Sequence, residues 1–404
     1  MNEIKDVLGL SVAKIRDAGA EWTAREIAQQ PQVWPEIARQ VGADRRLAEF
    51  VAPLLANPAL RIVLSGAGSS SYIGRCLAPA LVRAGRVAEA IPTTDIVASP
   101  QGTLAARSPT LMVHFARSGN SPESVATLDL AERQIESCHH LIITCNAAGE
   151  LNRRAAAVRH ACSLVLPEAC DDRSFAMTSS FTGMVLAAGI ALRVFPADEG
   201  SIGRLARLGA ETLSSHLSVL TTLVRAQFER VVYLGSNELK GLALESALKM
   251  LELTDGKIVS LGESPLGFRH GPKTIVNGKT LVVMFLCNDP YTRRYEMDLL
   301  RELRADGVAA RVVALYAGDG NAVIADTAPA GAAQAAAVPA EGIAVPGAAG
   351  ASDLGLCFPY AMFAQTFAFL QSLNLGLRPD RPNARGVVNR VVQGVSIYPW
   401  SPSR

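Results

Sequence analysis

Aromatic side chains are scarce in this chain. They make up 5% of its 404 residues, against 49% for all apolar types, so the apolar content rests on Ala, Leu and Val, as suits an α/β protein. Charge of one sign is also missing. Lysine and arginine (39) nearly balance aspartate and glutamate (37), and a net charge of +2 gives no pointer to nucleic acid. No apolar run reaches the length of a membrane span; residues 184–195 come nearest and are too short. The opening stretch, MNEIKDVLGLSVAKIRDAGAEW, has charges through it and lacks the apolar core of a signal peptide. Seven cysteines show no CxxC spacing, which reads as scattered buried thiols in a reducing compartment, and the expected location is the cytoplasm. The six histidines are dispersed, and His139-His140 stands just ahead of a strand, where adjacent side chains point to opposite faces. No metal and no cofactor are therefore expected. Neither Gly-x4-Gly-Lys-Ser/Thr nor GxGxxG is present, which argues against a nucleoside triphosphate or a dinucleotide.

What is there is a repeated order of strand, glycine turn and helix. At this length one core is too few, and two domains are the default. The first fifty residues read as an amphipathic helical arm, with Thr23 as N-cap and Glu26 three residues on as a capping box. From Arg61, the strands 61–65, 110–116, 140–145 and 162–167 alternate with helices and end in a long, nearly apolar helix over Phe175–Phe195. The order then restarts: a helix over about 202–228, strands 230–236, 257–261, 280–286 and 310–316, and a last helix near 359–375. RIVLSGAGSSS and RVVYLGSNELK hold matching places, 169 residues apart by Arg61 and Arg230. Short apolar strands alternating with helices predict parallel sheets covered on both faces, here one α/β unit duplicated. The expected boundaries are an arm at 1–50, units at 51–200 and 201–385, and a tail at 386–404. Residues 317–353, an Ala/Gly/Pro tract without helical or strand period, read as a disordered or loosely packed surface insertion.

Two serine-glycine turns follow the strands at 61–65 and 110–116. Each sets backbone N–H groups and hydroxyls at a helix N-terminus on the carboxyl edge of the sheet, where anions bind. The candidates are Gly68, Ser69, Ser70 and Ser71 in one turn and Ser118, Gly119, Asn120 and Ser121 in the other. Ordinary N-capping explains one such turn; two on strands that could be neighbours favour a phosphate. Thr178 and Ser179, within Asp171–Ser180, are placed to reach sugar hydroxyls or equally to cap the helix that follows. A core-like helix after strand 230–236 carries Glu245, Lys249 and Glu252 at i, i+4 and i+7, on one face. Such charges on an apolar helix are costly to bury without partners or a task. Lys249 reads as an ion partner of Glu245. His270 lies eighteen residues after Glu252, between Gly267 and Gly271-Pro272. A carboxylate and an imidazole together suit proton transfer at a sugar carbonyl.

At these residues the chain resembles the sugar isomerase (SIS) family, doubled as in the isomerase half of glucosamine-6-phosphate synthase. The resemblance covers nearly the whole chain. It rests on Thr23-x-x-Glu26-Ile27-x-x-Gln30-Pro31, Ser118-Gly119-Asn120-Ser121, Ala243-Leu244-Glu245-x-Ala247-Leu248-Lys249-x-x-Glu252 and His270-Gly271-Pro272. Within the family the chain is most similar to the galactosamine-6-phosphate deaminase/tagatose-6-phosphate isomerase group, through Arg117–Ser124, Ser174–Thr182 and Val388–Val395. By that resemblance Ser70, Ser118 and Ser121 match phosphate-binding hydroxyls, and Glu252 matches the carboxylate that moves a proton between C1 and C2. His270 matches the ring-opening histidine, which in relatives can come from a neighbouring subunit, and Glu245 and Lys249 match polar residues lining the site. The synthase's tail lysine has no counterpart, since the last lysine is Lys279, and no cysteine precedes Cys76. The resemblance therefore implies removal of nitrogen rather than its installation from glutamine.

The expected substrate is a hexosamine 6-phosphate, foremost galactosamine 6-phosphate, and the expected assembly is a homo-oligomer without nucleic-acid or membrane partners. A plain aldose–ketose isomerase would need the same Glu252 and His270, and a non-catalytic sugar-phosphate sensor would need neither. Ammonia release separates the first two.

Overall fold

The computed structural model describes residues 7–318, 340–392 and 394–401. By contacts the chain divides into two compact units. One takes Gln29–Gly203 together with the chain from Arg385 on; the other takes the chain up to Ala28 with Arg204–Ala384. The helical residues that the sequence groups as one arm thus part at Ala28.

In the first unit, β1 (Arg61–Ser65), β2 (Val87–Ala90), β3 (Thr110–Ala116), β4 (Cys138–Thr144) and β5 (Ala161–Val165) form a parallel sheet in the order β2-β1-β3-β4-β5. β3 is buried along its whole length, so it reads as a continuous apolar run rather than an alternation. His139-His140 lies inside β4 rather than ahead of it. β2, VAEA, is half-exposed at the edge and has no apolar run to announce it. The apolar helix is Ser179–Ala191, buried on every face. It packs against the Gln30–Ala43 helix, where Trp34 Nε1 donates to Thr182 Oγ1 (3.1 Å) and Thr182 donates on to Gln30 (2.7 Å).

In the second unit, β6 (Arg230–Gly235), β7 (Val259–Glu263), β8 (Thr280–Phe285), β9 (Arg311–Ala317) and β10 (Ala340–Val345) form a parallel sheet in the order β10-β9-β8-β6-β7. Read from β6, this is the order of the first sheet, so the duplication inferred from Arg61 and Arg230 holds strand by strand. β10 corrects the reading of 317–353 as a structureless insertion: Ala317 ends β9, and 340–345 pairs in parallel with β9, Ile343 and Val345 turning inward. Small residues on an edge strand gave it no apolar signature. Residues 319–339 of that tract lie outside the described residues.

The Thr23 capping box is also corrected. Thr23 sits inside the Glu21–Ala28 helix, and its N–H (2.8 Å) and hydroxyl (2.7 Å) both donate to Asp380 Oδ1, while the Trp22 N–H donates to Asp380 Oδ2 (3.1 Å). A carboxylate 357 residues along the chain caps this helix, and no local spacing could have announced it.

Candidate active site

In both sheets the strand order reverses between the first and third strands, and the crevice at that switch is where open α/β sheets bind ligands. In the first unit β1 and β3 are hydrogen-bonded neighbours, with Ser65 opposite His114, so the two serine turns leave adjacent strands at their carboxyl ends. Gly66 opens the first turn. A Cβ there would come within 2.6 Å of Ser70, so only glycine lets the helix start this close to the strand. Gly68 follows with φ 56° and begins the Ser69–Arg83 helix without a capping side chain. The second unit repeats the device: a Cβ on Gly235 would meet Leu239 at 2.4 Å, and Asn237, with φ 52°, takes the place of Gly68.

Ser69, Ser70 and Ser71 form the first helical turn and are buried. Ser71 Oγ is committed to the Gly68 carbonyl (2.8 Å), and among the described residues Ser70 Oγ has a 3.7 Å contact to Met177 sulfur. In the second turn Gly119 is left-handed (φ 66°), and the Pro122–Gln134 helix starts at Ser121, again with no side-chain cap. Ser121 and Ser124 share a 2.6 Å hydroxyl bond. Ser118 Oγ accepts from the Asn120 N–H (3.3 Å), and the Ser118 carbonyl accepts from Asn146 Nδ2 (2.8 Å). Asn120 Oδ1 accepts from the Glu150 N–H (2.9 Å), so this side chain caps the Glu150–Ala155 helix. Two helix N-termini without side-chain caps thus follow neighbouring strands, and backbone N–H groups at such ends are the kind that bind anions.

Thr178 and Ser179 are buried and held by Asp172. That carboxylate accepts from the Thr178 N–H (2.7 Å) and hydroxyl (3.2 Å), the Ser179 N–H (3.1 Å), and the Ser180 N–H (2.9 Å) and hydroxyl (2.5 Å). Ser179 Oγ accepts from Gln29 Nε2 (3.1 Å). Thr178 stands at the N-cap position of the Ser179–Ala191 helix without a side-chain cap bond, and the cap is supplied by Asp172 instead. Asp172 was the residue to single out, but it lies six residues ahead of Thr178, outside local cap spacing. Two arginines complete this edge. Arg117 donates to the carbonyls of Phe175 (3.2 Å) and Arg390 (2.9 Å), and Arg390 donates to the Asp172 carbonyl (3.0 Å) and pairs with Asp171 (3.0 Å). Burial first, and then Cys170, Asp172 and Asp171, hold the nearby Cys145 thiol well above its ordinary pKa, so it is no nucleophile.

In the second unit the Glu238–Leu253 helix follows β6. Lys249 is buried with its Nζ 3.5 Å from Glu245 and in direct contact with Glu252. Glu245 is buried as well, whereas 23% of the Glu252 side chain is exposed. The i, i+4, i+7 face is therefore one ion cluster: a buried ammonium holds a buried carboxylate on one side and a carboxylate open to solvent on the other. His270 caps the short Pro265–Arg269 helix and is exposed, its imidazole making no hydrogen bond among the described residues. The ion pairs of Arg269 with Glu302 (2.8 Å) and of Lys273 with Glu302 and Asp306 pin its loop on both sides to the Pro290–Asp306 helix.

Serine turns at the switch point of one sheet and a carboxylate–ammonium cluster on the helix after the first strand of its duplicate are the polar features of a doubled α/β chain. The SIS domain model matches residues 54–192. The chain belongs to the SIS family, as its likeness to whole relatives also requires. The D-galactosamine-6-phosphate deaminase AgaS of Escherichia coli is 44% identical over 390 residues, covering 95% of this chain and 97% of that one. The protein of the same name from Shewanella sp. (strain ANA-3) is 40% identical over 395 residues, 97% of this chain and 95% of that one. Among solved structures, the tagatose-6-phosphate ketose/aldose isomerase from Escherichia coli superposes with a TM-score of 0.82 at 39% identity, over 94% of this chain and 97% of that one.

Among the described residues no helix is long and apolar enough to cross a membrane.

Proposed function

We propose that this chain is a deaminating isomerase that converts galactosamine 6-phosphate to tagatose 6-phosphate and ammonia. The observation that carries the reading is the state of Glu252, a carboxylate fixed by the buried Lys249 ammonium yet open to solvent. The whole-length similarity to the two deaminases supports the substrate.

The residue roles follow from the chemistry. Backbone N–H groups of the Ser69–Ser71 and Ser118–Ser121 turns, with the Ser70, Ser118 and Ser121 hydroxyls, take the phosphate. His270 moves the anomeric hydroxyl proton to the ring oxygen, opening the pyranose to the aldehyde. Glu252 removes the C2 proton, giving an enolamine, and returns it to C1. The resulting C2 imine takes up water and releases ammonia, so carbon oxidation is only redistributed between C1 and C2. Lys249 acts by pairing with Glu252 and orienting it, with Glu245 as the second carboxylate on that ammonium. An exposed His270 imidazole with no hydrogen-bond partner among the described residues suits a homodimer in which it serves the partner subunit, and the enzyme is read as cytoplasmic.

A second reading is aldose–ketose isomerisation without deamination. It is favoured by the likeness to the tagatose-6-phosphate ketose/aldose isomerase and would use the same Glu252. Ammonia release measured with galactosamine, glucosamine and N-acetylgalactosamine 6-phosphates decides between them. Release from galactosamine 6-phosphate upholds the proposal, and its absence, with ketose formed from a neutral aldose phosphate, replaces it.

A further inference from the structure

Although the histidines and cysteines are dispersed in sequence, the first unit gathers several of them. Cys138 and His140 are two apart at the start of β4, so they share one face of the sheet. Glu132, near the end of the Pro122–Gln134 helix, lies over that face. One ligand atom from each of Glu132, Cys138 and His140 lies within 4.8 Å of the other two. His140 Nε2 is 2.8 Å from Glu132 Oε1, and its Nδ1 is 2.9 Å from Nε2 of the buried His114 on β3. His139, beside His160 and Phe50, takes no part. This corner is at the amino edge of the sheet, opposite the serine turns.

We propose that Glu132, Cys138 and His140 form a Zn2+ site, with water as the fourth ligand and His114 orienting His140. Thiolate, imidazole and carboxylate together suit this borderline-soft ion. Zinc bonds of about 2.0–2.3 Å set tetrahedral donors roughly 3.3–3.7 Å apart, so donors that now lie within 4.8 Å of one another must close by about 1–1.5 Å at most. The ion enters between Glu132 and His140, where the carboxylate opens to solvent, 38% of it being exposed. It takes the Nε2 lone pair; His140 then carries its proton on Nδ1 and donates it to His114 Nε2, while His114 holds its own proton on Nδ1. The Cys138 thiol proton goes to solvent. A ligating histidine whose other nitrogen is held by a buried neighbour is the usual outer-shell arrangement.

The test uses the full chain, stripped with a chelator and titrated with Co2+ as a spectroscopic probe, then with Zn2+ in competition. Expected are one ion per chain and a thiolate-to-cobalt charge-transfer band that Cys138→Ser abolishes. Glu132→Gln, on a partly exposed helix position that leaves the fold intact, weakens binding at least about 10-fold. His114→Leu weakens it ~10–100-fold with the band kept. The proposal is overturned if the wild type gives no thiolate band, if Cys138→Ser leaves the band unchanged, or if Glu132→Gln binds as tightly as wild type. Ammonia release is no part of the readout, so this inference stands or falls apart from the proposed activity.

Discussion

Lys249 is the residue on which the candidate chemistry turns. Its ammonium is buried between Glu245 and Glu252 and is the counter-charge to both carboxylates. Removing one partner of a buried pair leaves an uncompensated charge, so Lys249→Met is expected to cost about 3–5 kcal/mol in urea unfolding. Glu252→Gln tests the other side of the cluster. It keeps the shape and the phosphate turns, so ammonia release should vanish while inorganic phosphate or product still binds; substantial residual turnover would remove Glu252 from its role. This face was legible in the sequence because i, i+3 and i+4 spacing fixes neighbours on a helix. Asp172 was not. Five donors converge on its carboxylate from Thr178, Ser179 and Ser180, yet nothing in a linear spacing says that a loop folds back to cap the next helix. Asp172→Ala should destabilise the first unit by about 2 kcal/mol or more.

At the scale of elements, legibility followed burial. Strands buried on both faces, such as β3 and β8, stand out as apolar runs. The edge strands β2 and β10, short and built largely of small residues, do not. The sequence likewise merged two helices, Glu199–Ser215 and Leu217–Arg225, whose junction is His216. That histidine gives the edge strand β10 a fixed anchor: it is buried edge-on to Phe363, and its Nε2–H donates to the Ala344 carbonyl at 2.9 Å. Burial, the larger effect, holds its pKa below the ordinary value, and the Ala344 bond opposes this only in part. In the unfolded chain the imidazole takes up a proton as pH falls through about 6.5, while in the folded chain it stays neutral until lower pH. The unfolded state then binds more protons, so stability is full above that pH and declines below it. In denaturant unfolding series on either side of pH ~6.5, His216→Leu should show a shallower loss toward acid than wild type. An unchanged slope would mean that His216 is not buried neutral.

For the whole chain, the doubled α/β plan was readable because each half repeats strand, glycine turn and helix in the same order, and both sheets carry the same strand order. What could not be read is which unit each end of the chain joins. The helix at Glu21–Ala28 is capped by Asp380 in the second unit, and the residues from Arg385 on complete the first. The latter do so through named contacts. The Arg390 side chain donates to the Asp172 carbonyl and pairs with Asp171, and its carbonyl receives Arg117. Trp400 packs on the core of Val63, Met112 and Leu130. None of these partners is near in sequence, and a stretch containing Val387, Val388 and Val392 exposed to solvent carries no amphipathic signal of where it docks. A chain stopped after Ala384 should therefore lose stability in one half only. Amide hydrogen exchange should quicken in β3, β4 and the Ser179–Ala191 helix, where the lost contacts converge, and stay as in the full chain in β6, β8 and β9. The same truncation leaves the Lys249 cluster untouched but unties Asp171 and Arg117 beside the serine turns. The phosphate affinity of the shortened chain should fall, whereas exchange in the Glu238–Leu253 helix should not change. Equal quickening in both sheets would show instead that the two halves unfold as one.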